Sequence, residues 1–149
     1  MSQPAPPLPG WPIHTTEWLV DEQDIDLLGH LNNLATMEYF DRARWQMITE
    51  RGHGYDVIRE CGQAPVIVAV TVQFRREVHL RQRIVIETYT SATSTRTGTV
   101  VQVMRTPDGT VCVVATYTVG LFDLTTRRLI APTVAWRRAC GDPDVTAGA

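Results

Sequence analysis

The hydrophobic rhythm of this chain changes twice. From Ile13 to Asp21 it has the alternation of a half-buried strand, with Trp18 and Val20 on one face and Leu19 on the other. From about Leu34 to Arg51 the period lengthens to that of a helix. Met37, Phe40, Arg44, Met47 and Ile48 fall near one face, while Glu38, Asp41, Arg42 and Glu50 lie elsewhere. Gly52 and Gly54 stop the helix, and Tyr55 to Cys61 adds a short helical turn ending at Gly62. Beyond Gly62 the chain reads as strand. The segment from Pro65 to Phe74 is β-branched and apolar on both faces, which predicts a central strand or one at an interface. Strands over Arg83–Thr90, Thr97–Arg105 and Val111–Phe122 follow, the last two joined by a turn whose Pro107, Asp108 and Gly109 have hairpin chemistry.

The order is one strand, one long helix, then four long strands expected to form an antiparallel meander. One helix covers one face of such a sheet, so an α+β fold is predicted in which the sheet wraps around the helix. Open sheet edges and the apolar run from Val66 to Val72 call for a partner, which predicts a homo-oligomer. The ends read differently. Residues 1–12 include Pro4, Pro6, Pro7 and Pro9 and are expected to be disordered or extended. The domain is placed at 13–139, and 140–149 is expected to be a flexible tail.

With 149 residues, 44% hydrophobic, the chain can bury one sizeable core. A net charge of −2 and dispersed tryptophans give no nucleic-acid footprint. All 14 basic residues are Arg, which excludes a Lys-based Schiff base. Cys61, Cys112 and Cys140 lack metal-site or disulfide-framework spacing and read as reduced thiols. The N-terminus has neither the basic start nor the apolar core of a secretory signal, and no apolar run reaches membrane-spanning length. A soluble, cytoplasmic protein with no membrane partner is the expectation.

The chemistry concentrates between the first strand and the helix. Asp21, Asp24, Asp26, Gly29, His30, Asn32 and Asn33 crowd a turn that runs into a helix start. A helix N-terminus offers unpaired N–H groups and a partial positive charge. A carboxylate beside it can attack a carbonyl, or activate water to do so, while the N–H groups hold the oxyanion. Asp and Asn are also ordinary turn and cap residues, so that reading of Asp24, Asp26 and Asn32 stands beside the catalytic one. A calcium loop starting at Asp24 would need an oxygen ligand at Leu28 and Glu at Ala35, and no metal site is predicted. Arg75, Arg76, Arg81 and Arg83 crowd a strand–turn–strand corner. They read either as a solvated turn or as partners for phosphate groups, with Arg96, Arg127 and Arg128 secondary candidates.

The string from Asp24 through Ile25, Asp26, Gly29, His30 and Asn32 to Asn33, with Tyr39 to Arg44 on the helix, resembles the 4-hydroxybenzoyl-CoA thioesterase-like branch of the hotdog-fold acyl-CoA thioesterases. The resemblance covers roughly Thr15 to Pro132. It implies a five-stranded antiparallel sheet wrapped around one long central helix, a homodimer or a homotetramer built as a dimer of dimers, and an acyl-CoA substrate bound between subunits. It implies no cofactor. It places the nucleophile or general base on Asp26 and the oxyanion-binding N–H near Asn33. His30 and Asn32 match positions that shape the turn, and His30 is a further acid–base candidate. Thr36 stands in a helical turn where the family commonly has Tyr, which predicts a changed acyl lining. Arg75, Arg76, Arg81 and Arg83 are the candidates for the coenzyme A phosphates. An acyl-carrier-protein thioesterase and a non-catalytic acyl-CoA-binding module remain the alternatives.

Overall fold

The computed structural model describes residues 2–145. Its elements are β1 (His14–Leu19), α1 (Asn33–Glu50), α2 (Tyr55–Cys61), β2 (Gln63–Phe74), β3 (Arg83–Thr93), β4 (Thr97–Arg105), β5 (Val111–Asp123), β6 (Arg128–Ile130) and α3 (Val134–Ala139). The sheet is antiparallel and six-stranded, ordered β1-β3-β4-β5-β2, with β6 pairing the end of β5. Helix α1 lies on its inner face, burying Ala35, Tyr39, Phe40, Ala43 and Met47 against Ile84, Ile86, Val100 and Tyr117. This is the hotdog architecture, a sheet curled round one long helix. No helix among the described residues is long and apolar enough to cross a membrane.

Two expectations about the sheet need correction. The four later strands are not a simple meander, because β2 pairs with β5 rather than with its chain neighbour β3. Of the two readings of β2, a central strand or one at an interface, the central one fails. Strand β2 occupies an edge, and Ile67, Val68, Val70 and Phe74 remain exposed. Apolar character on both faces therefore marks incomplete burial within one chain, not burial between neighbouring strands. A bulge at Val68, where the register slips between Ile67 and Ala69, further roughens that edge.

The last part of the expected domain and the segments flanking it are packed. Helix α3 was not legible from periodicity, being a single short stretch capped by Thr133, whose Oγ1 accepts the Trp136 N–H at 3.1 Å. It sends Trp136 into the core, edge-on to His53. The expected tail does not fray at its start: Cys140 and Asp142 are buried, and Arg137 donates to Asp142 Oδ2 at 2.8 Å. Residues 146–149 of that expected tail lie outside the described residues. Burial pushes the Cys140 thiol up to about 12. At the other end, residues 2–12 have no helix or strand but are tied down. The N–H groups of Gly10 and Trp11 donate to the Thr90 carbonyl at 2.9 and 3.0 Å, and the Tyr89 hydroxyl donates to the Pro7 carbonyl.

One polar cluster interrupts the inner core. Gln102, fully buried on β4, donates to the Phe40 carbonyl at 2.9 Å and to Thr88 Oγ1 at 3.0 Å, and accepts from Arg44 Nη1 at 2.8 Å. The Arg44 guanidinium stacks 4.2 Å from the Tyr117 ring centroid and donates to Asp41 Oδ1 at 3.1 Å, the pair that the i, i+3 spacing predicts.

Candidate active site

The loop from β1 to α1 is a succession of turns, each closed by a short polar side chain. Asp21 caps the turn Glu22–Asp24. Asp26 Oδ1 accepts the Leu28 N–H at 2.9 Å, the Gly29 N–H closes on the Asp26 carbonyl at 3.0 Å, and the Asp26 N–H donates to the His30 carbonyl at 3.1 Å. Gly29 sits at φ +87°, a left-handed conformation that costs a side chain strain and a glycine almost none. The loop is then fastened from outside. The Leu31 N–H donates to the Val78 carbonyl at 2.7 Å, and the Asn32 N–H to the Asp24 carbonyl at 2.9 Å.

Asn32 is the N-cap of α1, its Oδ1 accepting the Ala35 N–H at 2.7 Å. The Asn32 carbonyl accepts both the N–H and the hydroxyl of Thr36, each at 3.0 Å. In the first turn, the N–H groups of Asn33 and Leu34 meet no acceptor among the described residues. Two donors at the positive end of an 18-residue helix can therefore meet an anion or an oxyanion.

The loop divides the surroundings of that helix end. On one side an open cavity of about 650 Å³ is bordered by Asp26, Asn32, Asn33, Leu34, Glu38 and Arg42. On the other, a smaller cavity of about 170 Å³ is bordered by His30, Asn33, Thr36, Phe74, Arg75 and Arg76. Asn33 borders both. Arg75 and Arg76 also line a groove of about 500 Å³ with Ser2, Gln3, Thr110 and Val111. His30 lies 3.8 Å from Glu77 across the smaller cavity, and Thr36 is almost fully buried. The four corner arginines separate: Arg75 and Arg76 reach the helix end, whereas Arg81, at φ +62°, is ion-paired with Glu22, and Arg83 sits opposite Leu19 on the far side of the sheet.

Glu38 and Arg42, one helical turn apart above Asp26, were not singled out from the sequence. Their i, i+4 spacing from one another, on the polar side of the helix, is the available signal. Tyr39, the first residue of the helix string Tyr39 to Arg44, also has a polar role. Its hydroxyl donates to Asp24 Oδ2 at 2.5 Å, with the Leu19 carbonyl at 3.2 Å, so Asp24 braces the loop against the helix. Burial first, and then the hydrogen bond and charge of Asp24, push this phenol up to about 12. In the unfolded chain it ionises near 10. Between these values the native state keeps a proton that the unfolded state has lost, so stability falls as pH rises through that window. Tyr39→Phe should flatten the alkaline limb of the stability profile between pH ~10 and ~12, measured by urea unfolding. An unchanged slope would mean that Tyr39 ionises equally in both states.

The fold, the turn sequence and the capped helix define one class. The chain belongs to the thioesterase-like superfamily, whose family model matches residues 20–146, and it has the hotdog fold. It is by class a thioester hydrolase. The structure is similar to the probable thioesterase YbaW from Escherichia coli, with a TM-score of 0.76 and 23% identity over 86% of this chain and 98% of that one. It is similar to Slr0204, a 1,4-dihydroxy-2-naphthoyl-CoA thioesterase from Synechocystis, with a TM-score of 0.79 and 16% identity over 89% and 98% of the two chains. It is also similar to SAV2348 from Staphylococcus aureus, solved in complex with CoA, with a TM-score of 0.80 and 13% identity over 93% and 85%. At these identities the likeness is one of fold. Comparison with curated proteins gives no match.

Proposed function

We propose that this protein hydrolyses an acyl-CoA to a free acid and coenzyme A, with Asp26 as nucleophile or general base and the N–H groups at the head of α1 as the oxyanion site. The observation that carries the reading is that Asp26 borders the same cavity as Asn33 and Leu34, whose N–H groups meet no acceptor among the described residues. A thioester has weak resonance and a good thiolate leaving group, so one carboxylate and two donors suffice. As nucleophile, Asp26 attacks the carbonyl carbon, the oxyanion forms against the N–H groups, and the C–S bond breaks to leave a mixed anhydride that water cleaves. As base, Asp26 takes a proton from the attacking water. His30, on the other side of Asn33, would orient the loop. Arg75 and Arg76, along the groove leading from the helix end, would meet the coenzyme A phosphates. The structure of SAV2348 with CoA supports coenzyme A over a carrier protein as the thiol.

The working form in this reading is a homodimer joined along β2. The exposed, apolar edge of β2 supports it. Antiparallel two-fold pairing would set the Phe74 end of one strand, beside its helix head, near the Pro65 end of the other. There an apolar cavity of about 250 Å³, walled by Trp45, Met47, Ile48, Val66 and Ile67 with Arg44 and Asp41 at its side, would receive the acyl group. Its volume exceeds the roughly 150 Å³ that holds benzene in an engineered cavity. The three free cysteines fit a reducing, cytoplasmic setting.

The test is release of free thiol from short, long and aromatic acyl-CoAs, with and without added coenzyme A. Turnover inhibited competitively by coenzyme A is expected. Tight acyl-CoA binding without any release would identify a binding module, and turnover of acyl-carrier protein alone would move the substrate.

A further inference from the structure

The sheet has a second apolar cluster, and its place follows from strand periodicity. Val100, Ile86, Ala115 and Tyr117 face the helix. Tyr89, Val101, Val103 and Val114 form a separate cluster, alternating with them on the strands, and therefore point to the opposite, outer face. These four are almost fully buried although α1 lies on the other side. The proline-rich N-terminal segment is anchored on either side of them. Ser2 and Gln3 line one groove with Val111 at the start of β5, and Pro7 is held by Tyr89 on β3. The order β3-β4-β5 puts Val101 and Val103 of β4 between these two anchors. Distances agree: two strand spacings are about 9.6 Å, and four residues of polyproline helix reach about 12 Å. Farther on, the strap turns round the sheet at Gly10, where a Cβ would meet the Ser91 carbonyl oxygen at 2.7 Å, and Trp11 packs on the inner core.

We propose that residues 2–10 are an intramolecular cover that keeps the outer face of the sheet from packing against a second copy of this chain, and so holds the assembly below the back-to-back state. A second copy is the occupant that the face fits. Its valines and tyrosine are a contiguous β-branched and aromatic stripe of the kind that packs sheet on sheet. The same face also carries a Glu87–Arg105 pair, and under a two-fold axis each charge can meet its opposite across the interface. The strap suits the task because its prolines are preformed, lose little entropy on docking, and offer few N–H groups for further pairing. This inference does not rest on the thioesterase reading, since assembly is measured without substrate.

The test uses the full chain. Gly10→Val cannot keep the close approach to Ser91, and the milder pair Pro7→Gly with Tyr89→Phe loosens the strap while keeping Gly10, should the first variant fail to fold. Release is read as faster hydrogen exchange at the Trp11 N–H, which the Thr90 carbonyl holds, and mass by light scattering after gel filtration. The expected result is a variant of twice the parent's mass that returns to the parent's mass when Val101→Glu is added. Three results would overturn the proposal: a released strap with unchanged mass, a parent already at the mass of the variant, or polydisperse aggregation that Val101→Glu does not reverse.

Discussion

Replacing Asp26 by Asn should lower kcat/KM for acyl-CoA hydrolysis at least about 100-fold, the scale of a lost catalytic group, with little effect on folding. Asp26 has two separable jobs. Its Oδ1 accepts the Leu28 N–H at 2.9 Å and shapes the turn, while its charge supplies the proposed chemistry. Asn keeps an oxygen for the first job and loses the second. Ala loses both, with a turn cost of about 1 kcal/mol added. A fall in turnover shared by Asn and Ala, with near-parental melting for Asn and unchanged coenzyme A affinity by calorimetry, would therefore be chemical. A loss of 100-fold corresponds to about 2.7 kcal/mol of transition-state stabilisation. Parental turnover in both variants would leave the hydrolase standing and remove Asp26 as its catalyst. A rate that falls only in the Ala variant would make Asp26 a turn residue.

The largest stability effect is expected at Gln102→Leu. The substitution preserves volume but strips three hydrogen bonds at a fully buried site. The Phe40 carbonyl loses one donor, and the Arg44 guanidinium keeps its charge with only Asp41 and the Tyr117 face to meet it. Hydrogen bonds to charged groups contribute about 1.5–3 kcal/mol, and the neutral bonds add to this, so a loss of about 3 kcal/mol is expected. For a domain of this size that lowers Tm by about 6–12 °C. The companion variant Arg44→Met removes the orphaned charge. In the double variant much of the loss should return, giving a coupling energy of at least about 1 kcal/mol. Additive losses would mean that Gln102 acts through Phe40 and Thr88 rather than through Arg44.

Gln102 also shows where periodicity misleads. In the run Val100, Val101, Gln102, Val103 the alternation invites Val101 and Val103 inward and Gln102 outward. The fold does the reverse, because Arg44 reaches from the helix to the inner face and needs an acceptor there, while the outer face carries a buried apolar cluster of its own. The same distinction separates the corner arginines. Arg75, Arg76, Arg81 and Arg83 are neighbours in sequence, yet the bends after β2 turn two toward the helix end and leave Arg81 to Glu22 and Arg83 to the β1 side.

By itself the sequence determined whatever depends on neighbours within a few residues. The strand at β1, the capped helix after Asn32, the glycine turn at Gly29 and the hairpin at Pro107–Gly109 follow from local periodicity, side-chain acceptors and allowed backbone angles. The loop also carried the family's string and with it the location of the candidate chemistry. Tertiary structure alone decided which strand β2 would join, that the tail's start would be buried, which arginines would border the helix end, and that a proline-rich segment would lie across the sheet. Each of these is a contact between residues far apart in the chain, and the free energy of burying two surfaces together is written in neither surface alone.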